Sequence, residues 1–220
     1  MLNLLTIPKS YDLYSENGWS VETKQLFVEN LLMSTNRKGM ENVIEFLKTT
    51  DFYYAPASTN YHSNMKYGLM NHSILVYSVA MEYKKALIAS DPKLEDRLSD
   101  ESIAIATILH DICKCCFYVE TTKWKKDSNG QWESYIGYDV QDTFPMGHGE
   151  KSVIMLQKLG LELTVEEMLA IRYHMGMFSD AGQELRLSQG QAARECALVP
   201  LLQMADYSAS LMMEPTIKNK

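Results

Sequence analysis

The sequence predicts a mainly helical bundle with one β-hairpin inserted at about residues 117–138. Three observations carry this. Apolar positions recur at three- and four-residue spacing along most of the chain. Strand-like alternation is confined to residues 117–124 and 132–138, and Asn129-Gly130 between them is a strong hairpin signal. Apolar residues make up 46% of the 220 positions, enough for a sizeable core and against disorder. A single domain over residues 1–220 is expected, with a helical extension at 1–50 and a core at 51–213 that carries the hairpin.

In order, residues 1–19 read as irregular. Ser20 caps a helix from about Val21 to Met33, with Leu26, Phe27, Leu31 and Leu32 apolar. Asn36 to Gly39 reads as a turn into a helix over Met40–Lys48. Residues 50–67 fit no helix pattern, and a loop so rich in Tyr and Phe is expected to pack over something. Gly68 opens a long helix to about Ala89, stopped by Asp91-Pro92, with His72, Val76, Val79 and Tyr83 on one face. Ser99 caps the next, which places Ile103, Ala106, Thr107 and His110 on one face and ends in His110-Asp111. After the hairpin, a helix runs from about Glu150 to Leu159, closed by Gly160. Thr164 and Glu167 form a capping box for a helix from Val165 to about His174. Met175 to Gly190 reads as mostly loop. Pro200 suits the first turn of a last helix, or kinks one begun near Gln191; Leu202, Asp206, Ala209 and Met213 share its face. The tail after Glu214 reads as frayed.

Composition excludes several classes. A net charge of −7 argues against a duplex nucleic-acid surface. No apolar run is long enough to span a membrane, and no basic residue precedes the short apolar run at the start, so neither membrane nor secretory signal is expected. Cys113, Cys115, Cys116 and Cys196 do not form a disulfide framework, which predicts a reducing, cytoplasmic location. Gly147 to Ser152 imitates a phosphate loop, but Glu150 stands where the loop needs glycine, so it is set aside.

The chemistry lies in polar residues on inward faces and at helix ends: His72, His110, Asp111, His148, His174 and Asp206. Each alone has a bland explanation as a satisfied polar residue. Together they include four of the five histidines, at positions a helical bundle can turn inward. Imidazoles and carboxylates in an apolar setting need a partner, and a divalent ion serves both. This mixed donor set suits Mn, Fe, Zn or Co and argues against a thiolate site.

The order His72, His110-Asp111, Asp206 resembles the HD-domain metal-dependent phosphohydrolases. His148 and His174 resemble the extra pair of branches with a two-metal centre, and Lys114 matches the His-Asp-x-x-Lys form of several HD phosphodiesterases. Gly68-Leu69-x-x-His72-Ser73, with Pro56-Ala57-Ser58 and His62, is similar to HD proteins that include 3′-to-5′ exoribonucleases. The resemblance covers roughly residues 50–213, and the hairpin departs from a minimal HD core. It implies one or two divalent ions (Mn, Fe, Zn, Co or Mg). His72, His110, Asp111 and Asp206 would hold the first; His148 and His174 would hold a second, with Asp111 bridging. Two such ions, about 3.5–4 Å apart, clamp a phosphoryl group and activate a water as nucleophile. Asp111 and Lys114 would be catalytic, with Lys114 neutralising a phosphate oxygen; His62 and Arg172 are candidate phosphate contacts. The expected function is hydrolysis of a phosphate ester or anhydride in a small phosphorylated substrate, a nucleotide or short oligonucleotide. Two alternatives stand beside it: a regulatory protein that binds a nucleotide without turnover, and a helical scaffold with satisfied core polar groups.

Overall fold

The computed structural model describes residues 7–176 and 183–217. Helices α1 (Ser10–Tyr14), α2 (Val21–Ser34) and α3 (Met40–Thr49) precede the long α4 (Gly68–Ser90). A 3₁₀ turn (Pro92–Arg97) leads to α5 (Asp100–Leu109), and a second (Ile112–Lys114) to strands β1 (Tyr118–Lys126) and β2 (Trp132–Val140). Then follow α6 (His148–Lys158), α7 (Val165–Tyr173), α8 (Gln183–Glu195), α9 (Leu198–Ser208) and a π-helical turn (Ala209–Met213). The mainly helical class with an inserted hairpin is what the sequence predicted.

Every residue of α4 from Gly68 to Ala80 is buried. A helix apolar all round belongs in the middle of a core, and α4 packs against both α5 and α9. Its first turn presses on the preceding loop at Gly68, where any side chain would overlap the Ser63 carbonyl oxygen. The aromatic loop is indeed packed down, with Phe52, Tyr53, Ala55 and Ala57 buried. One buried cluster extends from Leu13 to Ala209 and includes residues of α2 and α3.

Several boundaries follow from caps read in the sequence. Ser20 and Ser99 accept from Thr23 N–H and Ser102 N–H, and the Thr164–Glu167 capping box is complete. Glu167 is fully buried yet satisfied: Arg37 donates to both its oxygens at 2.7 and 3.0 Å, and Ser102 Oγ donates at 2.8 Å. This ion pair ties the α2–α3 turn to α5 and α7.

The hairpin pairs antiparallel from Tyr118↔Val140 to Lys126↔Trp132. Its turn is longer than a two-residue loop: Asp127 Oδ1 accepts from the N–H groups of Asn129 and Gln131, and Gly130 takes the positive φ. Trp124, Trp132 and Ile136 are exposed on one face of the ladder.

Three expectations are corrected and one alternative is decided. Part of 1–19 is helical (α1), while residues 1–6 lie outside the described residues. The segment expected as loop to Gly190 forms α8 from Gln183 onward, since its Glu, Leu, Arg, Gln and Ala are helix formers and Gln189 and Ala192 are buried; residues 177–182 lie outside the described residues. Of the two readings of Pro200 the first holds: the helix is interrupted at Cys196–Ala197, and Pro200 lies in the first turn of α9. The tail is not frayed as far as it is described: Asn64 brackets Ile217, donating to its carbonyl at 3.0 Å and accepting its N–H at 2.8 Å. Among the described residues no helix is long and apolar enough to cross a membrane.

Candidate metal centre

Four helix ends converge. His72 stands at the start of the second turn of α4. His110 and His174 are the C-cap residues of α5 and α7, and both use the same device. His110 Nδ1 lies 2.8 Å from the Thr107 carbonyl oxygen, and His174 Nδ1 lies 2.7 Å from that of Ile171. A carbonyl only accepts, so each ring carries its proton on Nδ1 and turns a bare Nε2 inward. The 3₁₀ turn after Asp111 folds Lys114 back over it, and α9 brings Asp206 from the far side.

The inward atoms lie close together. His72 Nε2 is 3.1 Å from His110 Nε2, 3.4 Å from Asp206 Oδ1 and 3.7 Å from Asp111 Oδ2. The two Asp111 oxygens divide their neighbours: Oδ2 faces His110 Nε2 at 3.4 Å and Lys114 Nζ at 2.7 Å, whereas Oδ1 faces His174 Nε2 at 3.6 Å. His72, His110, Asp111 and His174 are buried.

These residues fit a divalent ion on three counts. Asp111 Oδ1 and His174 Nε2 are buried without a hydrogen-bond partner, which is costly unless something else satisfies them. His72 Nδ1 is committed to the Glu214 carboxylate at 2.6 Å, so neutral His72 and His110 would face each other lone pair to lone pair. With the imidazoles neutral, as metal ligands are, Asp111, Asp206 and Glu214 against Lys114 leave two negative charges, which a divalent cation balances. Among the described residues three groups result in which every ligand atom lies within 4.8 Å of the others: His72, His110 and Asp111; His110, His174 and Asp206; and His62, His72 and Glu214.

The electrostatics follow the same contacts. Burial pulls the His72 imidazole down, but Glu214, then Asp206 and Asp111, lift it to about 9 in the absence of metal. Burial raises the Asp111 carboxyl, and Lys114 and His110 outweigh that and hold it well below the usual range. Lys114 is likewise opposed by burial and raised by Asp111, so it stays charged. Its ammonium also donates to the Ala57 carbonyl at 2.8 Å. Two of its three donors are thus committed, leaving one.

The other candidates stand at the edge. The His62 ring lies 4.9 Å from that of His72, with Nε2 buried and unpartnered; burial and the neighbouring His72 charge lower it to about 4. His148 opens α6, its Nδ1 3.6 Å from Cys113 Sγ and its ring 5.8 Å from that of Phe117. Among the described residues it falls in none of the close ligand groups. Arg172 pairs with Glu150 at 2.9 Å and donates to the Tyr173 hydroxyl at 2.7 Å. Glu214, to which the sequence reading gave no role, is a buried partner of His72.

The HD-domain family profile matches residues 69–211. The chain belongs to the HD-domain family. HD-domain proteins are generally metal-dependent hydrolases of phosphorylated compounds, and the His/Asp cluster of this chain could hold such a metal. A search of curated proteins finds no match to the chain, and neither does a search of solved structures. The profile spans α4 to the π-helical turn, so Tyr14, His62, Ser63 and Glu214 lie outside it.

Proposed function

We propose that this HD protein is a metal-dependent phosphohydrolase that cleaves an ester or anhydride bond in a nucleotide or short oligonucleotide. The observation that carries the reading is the division of the Asp111 carboxylate. Oδ2 faces His72 and His110, with Asp206 beyond, and Oδ1 faces His174, the arrangement a bridging carboxylate needs. His72, His110, Asp111 and Asp206 would hold one divalent ion; His174 and His148, close enough for the one to feel the other's charge, would hold a second. When bound, such ions supply Lewis acidity and lower the pKa of a water toward neutrality.

The protein groups supply the rest. Lys114, anchored by Asp111 and Ala57, directs its remaining N–H at an oxygen of the phosphoryl group. His62, neutral and unpartnered next to His72, offers a hydrogen bond to the substrate. Arg172 would reach a phosphate only by leaving Glu150. Aromatic side chains near the centre support a nucleotide over a simple phosphate. Phe117 stands edge-on to His148, and beside it lies a recess of about 210 Å³ lined by Phe117, Phe144, Gln141 and Lys151. Rings and an amide are what a nucleobase uses. The four cysteines are all free thiols, which suits a reducing cytoplasm.

The test is elemental analysis of the purified protein, then a screen of nucleotides, short oligonucleotides and a generic phosphodiester with added Mn²⁺. Bound divalent metal and turnover abolished in His110→Ala and Asp111→Ala are expected. Nucleotide binding without turnover would make the chain a regulatory protein, and absence of both metal and turnover would leave a scaffold.

A further inference from the structure

His72 is held between two carboxylates supplied by one stretch of chain. Asp206 approaches Nε2 at 3.4 Å and Glu214 grips Nδ1 at 2.6 Å. Helix α9 alone does not deliver Glu214. The π-helical turn over Ala209–Met213 widens the last turn, and the Glu214 N–H closes it on the Ala209 carbonyl at 3.1 Å. Such turns insert a residue into a helix and often mark functional positions.

The Glu214 side chain is fully buried and its second oxygen is also used. Ser63 Oγ lies 2.6 Å from Oε2, and Tyr14 Oη lies 2.7 Å from Ser63 Oγ. The hydrogen bonds therefore run one way: a carboxylate only accepts, so Ser63 donates to it and Tyr14 donates to Ser63. The same carboxylate takes the Nδ1–H of His72. The segment is fixed from both sides, since Pro215 accepts the Ser63 N–H at 2.8 Å and Ser10 Oγ donates to the Met213 carbonyl at 3.0 Å.

We propose that Glu214 is the positioning residue of the metal centre: its buried carboxylate holds His72 as the Nδ1–H tautomer with Nε2 turned inward, and its charge makes that nitrogen a stronger ligand. Ser63 and Tyr14 hold the carboxylate in place. Histidine ligands in general donate their second N–H to such a partner, and losing it costs 10–100-fold in metal affinity. The inference rests on the metal-centre reading, and its test separates the two.

Mn²⁺ affinity of the full chain is measured by calorimetry for wild type, Glu214→Ala and Glu214→Gln. Alongside, the His72 Nδ1–H is followed by ¹H–¹⁵N NMR in metal-free protein. Glu214→Ala is expected to weaken Mn²⁺ binding about 10–100-fold at unchanged stoichiometry. It should also lose the exchange-protected Nδ1–H signal that wild type shows. Glu214→Gln, which keeps an acceptor but no charge, is expected to weaken binding by several-fold, and it alone decides the matter if the alanine variant does not fold. Affinities within twofold of wild type would overturn the proposal. So would loss of one whole equivalent of metal, which would make Glu214 a ligand in the group it forms with His62 and His72. A wild type that binds no Mn²⁺ defeats the metal-centre reading, and the proposed role with it; the NMR signal then reports only whether Glu214 holds His72.

Discussion

Replacing Lys114 by methionine keeps the stem of the side chain and removes its charge. In the metal-free protein that leaves Asp111 buried, one oxygen already orphaned and the other deprived of a partner 2.7 Å away. The Ala57 carbonyl loses its ammonium donor as well and keeps only the Tyr118 hydroxyl at 3.3 Å. Both partners of the ion pair are nearly inaccessible, with 11% and 3% of their side chains exposed, so solvent cannot screen the loss. Breaking a buried pair from one side costs about 3–5 kcal/mol. For a chain of this size each kcal/mol lowers Tm by about 2–4 °C, so a fall of roughly 6–20 °C is expected in chelator. Saturating divalent metal gives Asp111 a cation again, so the deficit should shrink. Turnover should not recover with it, because the donor to the phosphoryl oxygen is still missing; a loss of about 10²–10³ in kcat is expected. Thermal melts with and without metal, beside steady-state kinetics, read all three. A metal-free Tm within about 2 °C of wild type would refute the buried-pair reasoning, and kcat within about threefold would refute the catalytic role.

His148→Ala should lose one equivalent of metal by elemental analysis while His110→Ala and Asp111→Ala lose more, because Asp111 is shared; unchanged stoichiometry in His148→Ala would leave a single-ion centre. Joining Thr121 to Gly137, which face each other across the ladder, through a two-residue Asn-Gly turn should leave fold and metal content intact and alter turnover or substrate preference; an unfolded product would make the distal hairpin part of the core. Arg37→Met should destabilise the protein by about 3–5 kcal/mol in urea unfolding, since it strands the buried Glu167, without changing metal stoichiometry; a loss below about 1 kcal/mol would count against the pair as an anchor of α2 and α3.

His72, His110 and Asp206 were visible in the sequence because each lies on an otherwise apolar stripe whose period is set by the helix, and Asp111 because it follows His110 at the helix end. A polar group on a buried face needs a partner, and that need can be read without coordinates. Glu214 carries no such mark. It follows the helical frame of α9, precedes a proline and sits past a π turn that shifts the register, so no periodicity reports that it is inside. Ser63 and Tyr14 belong to irregular or very short segments for the same reason. The contact of His148 with Cys113 depends on how α6 docks against the 3₁₀ turn 35 residues earlier, which is tertiary information. Helix α8 was missed because polar residues dominate it, and its few apolar contacts emerge only when α9 is in place.

The centre draws on residues far apart in the chain: His72 lies 38 positions from His110 and 142 from Glu214. An ion seated there would act as a staple across α4, α5, α7 and α9, present only in the native state. At a hundred times its dissociation constant a native-only ligand adds about 2.7 kcal/mol of stability. A change of that size alters the steady-state level of a protein in a cell several-fold, by changing how much unfolded chain is open to proteases. The ion would therefore govern how long each molecule survives, apart from any part in the proposed hydrolysis, and the amount of this protein would follow the supply of metal.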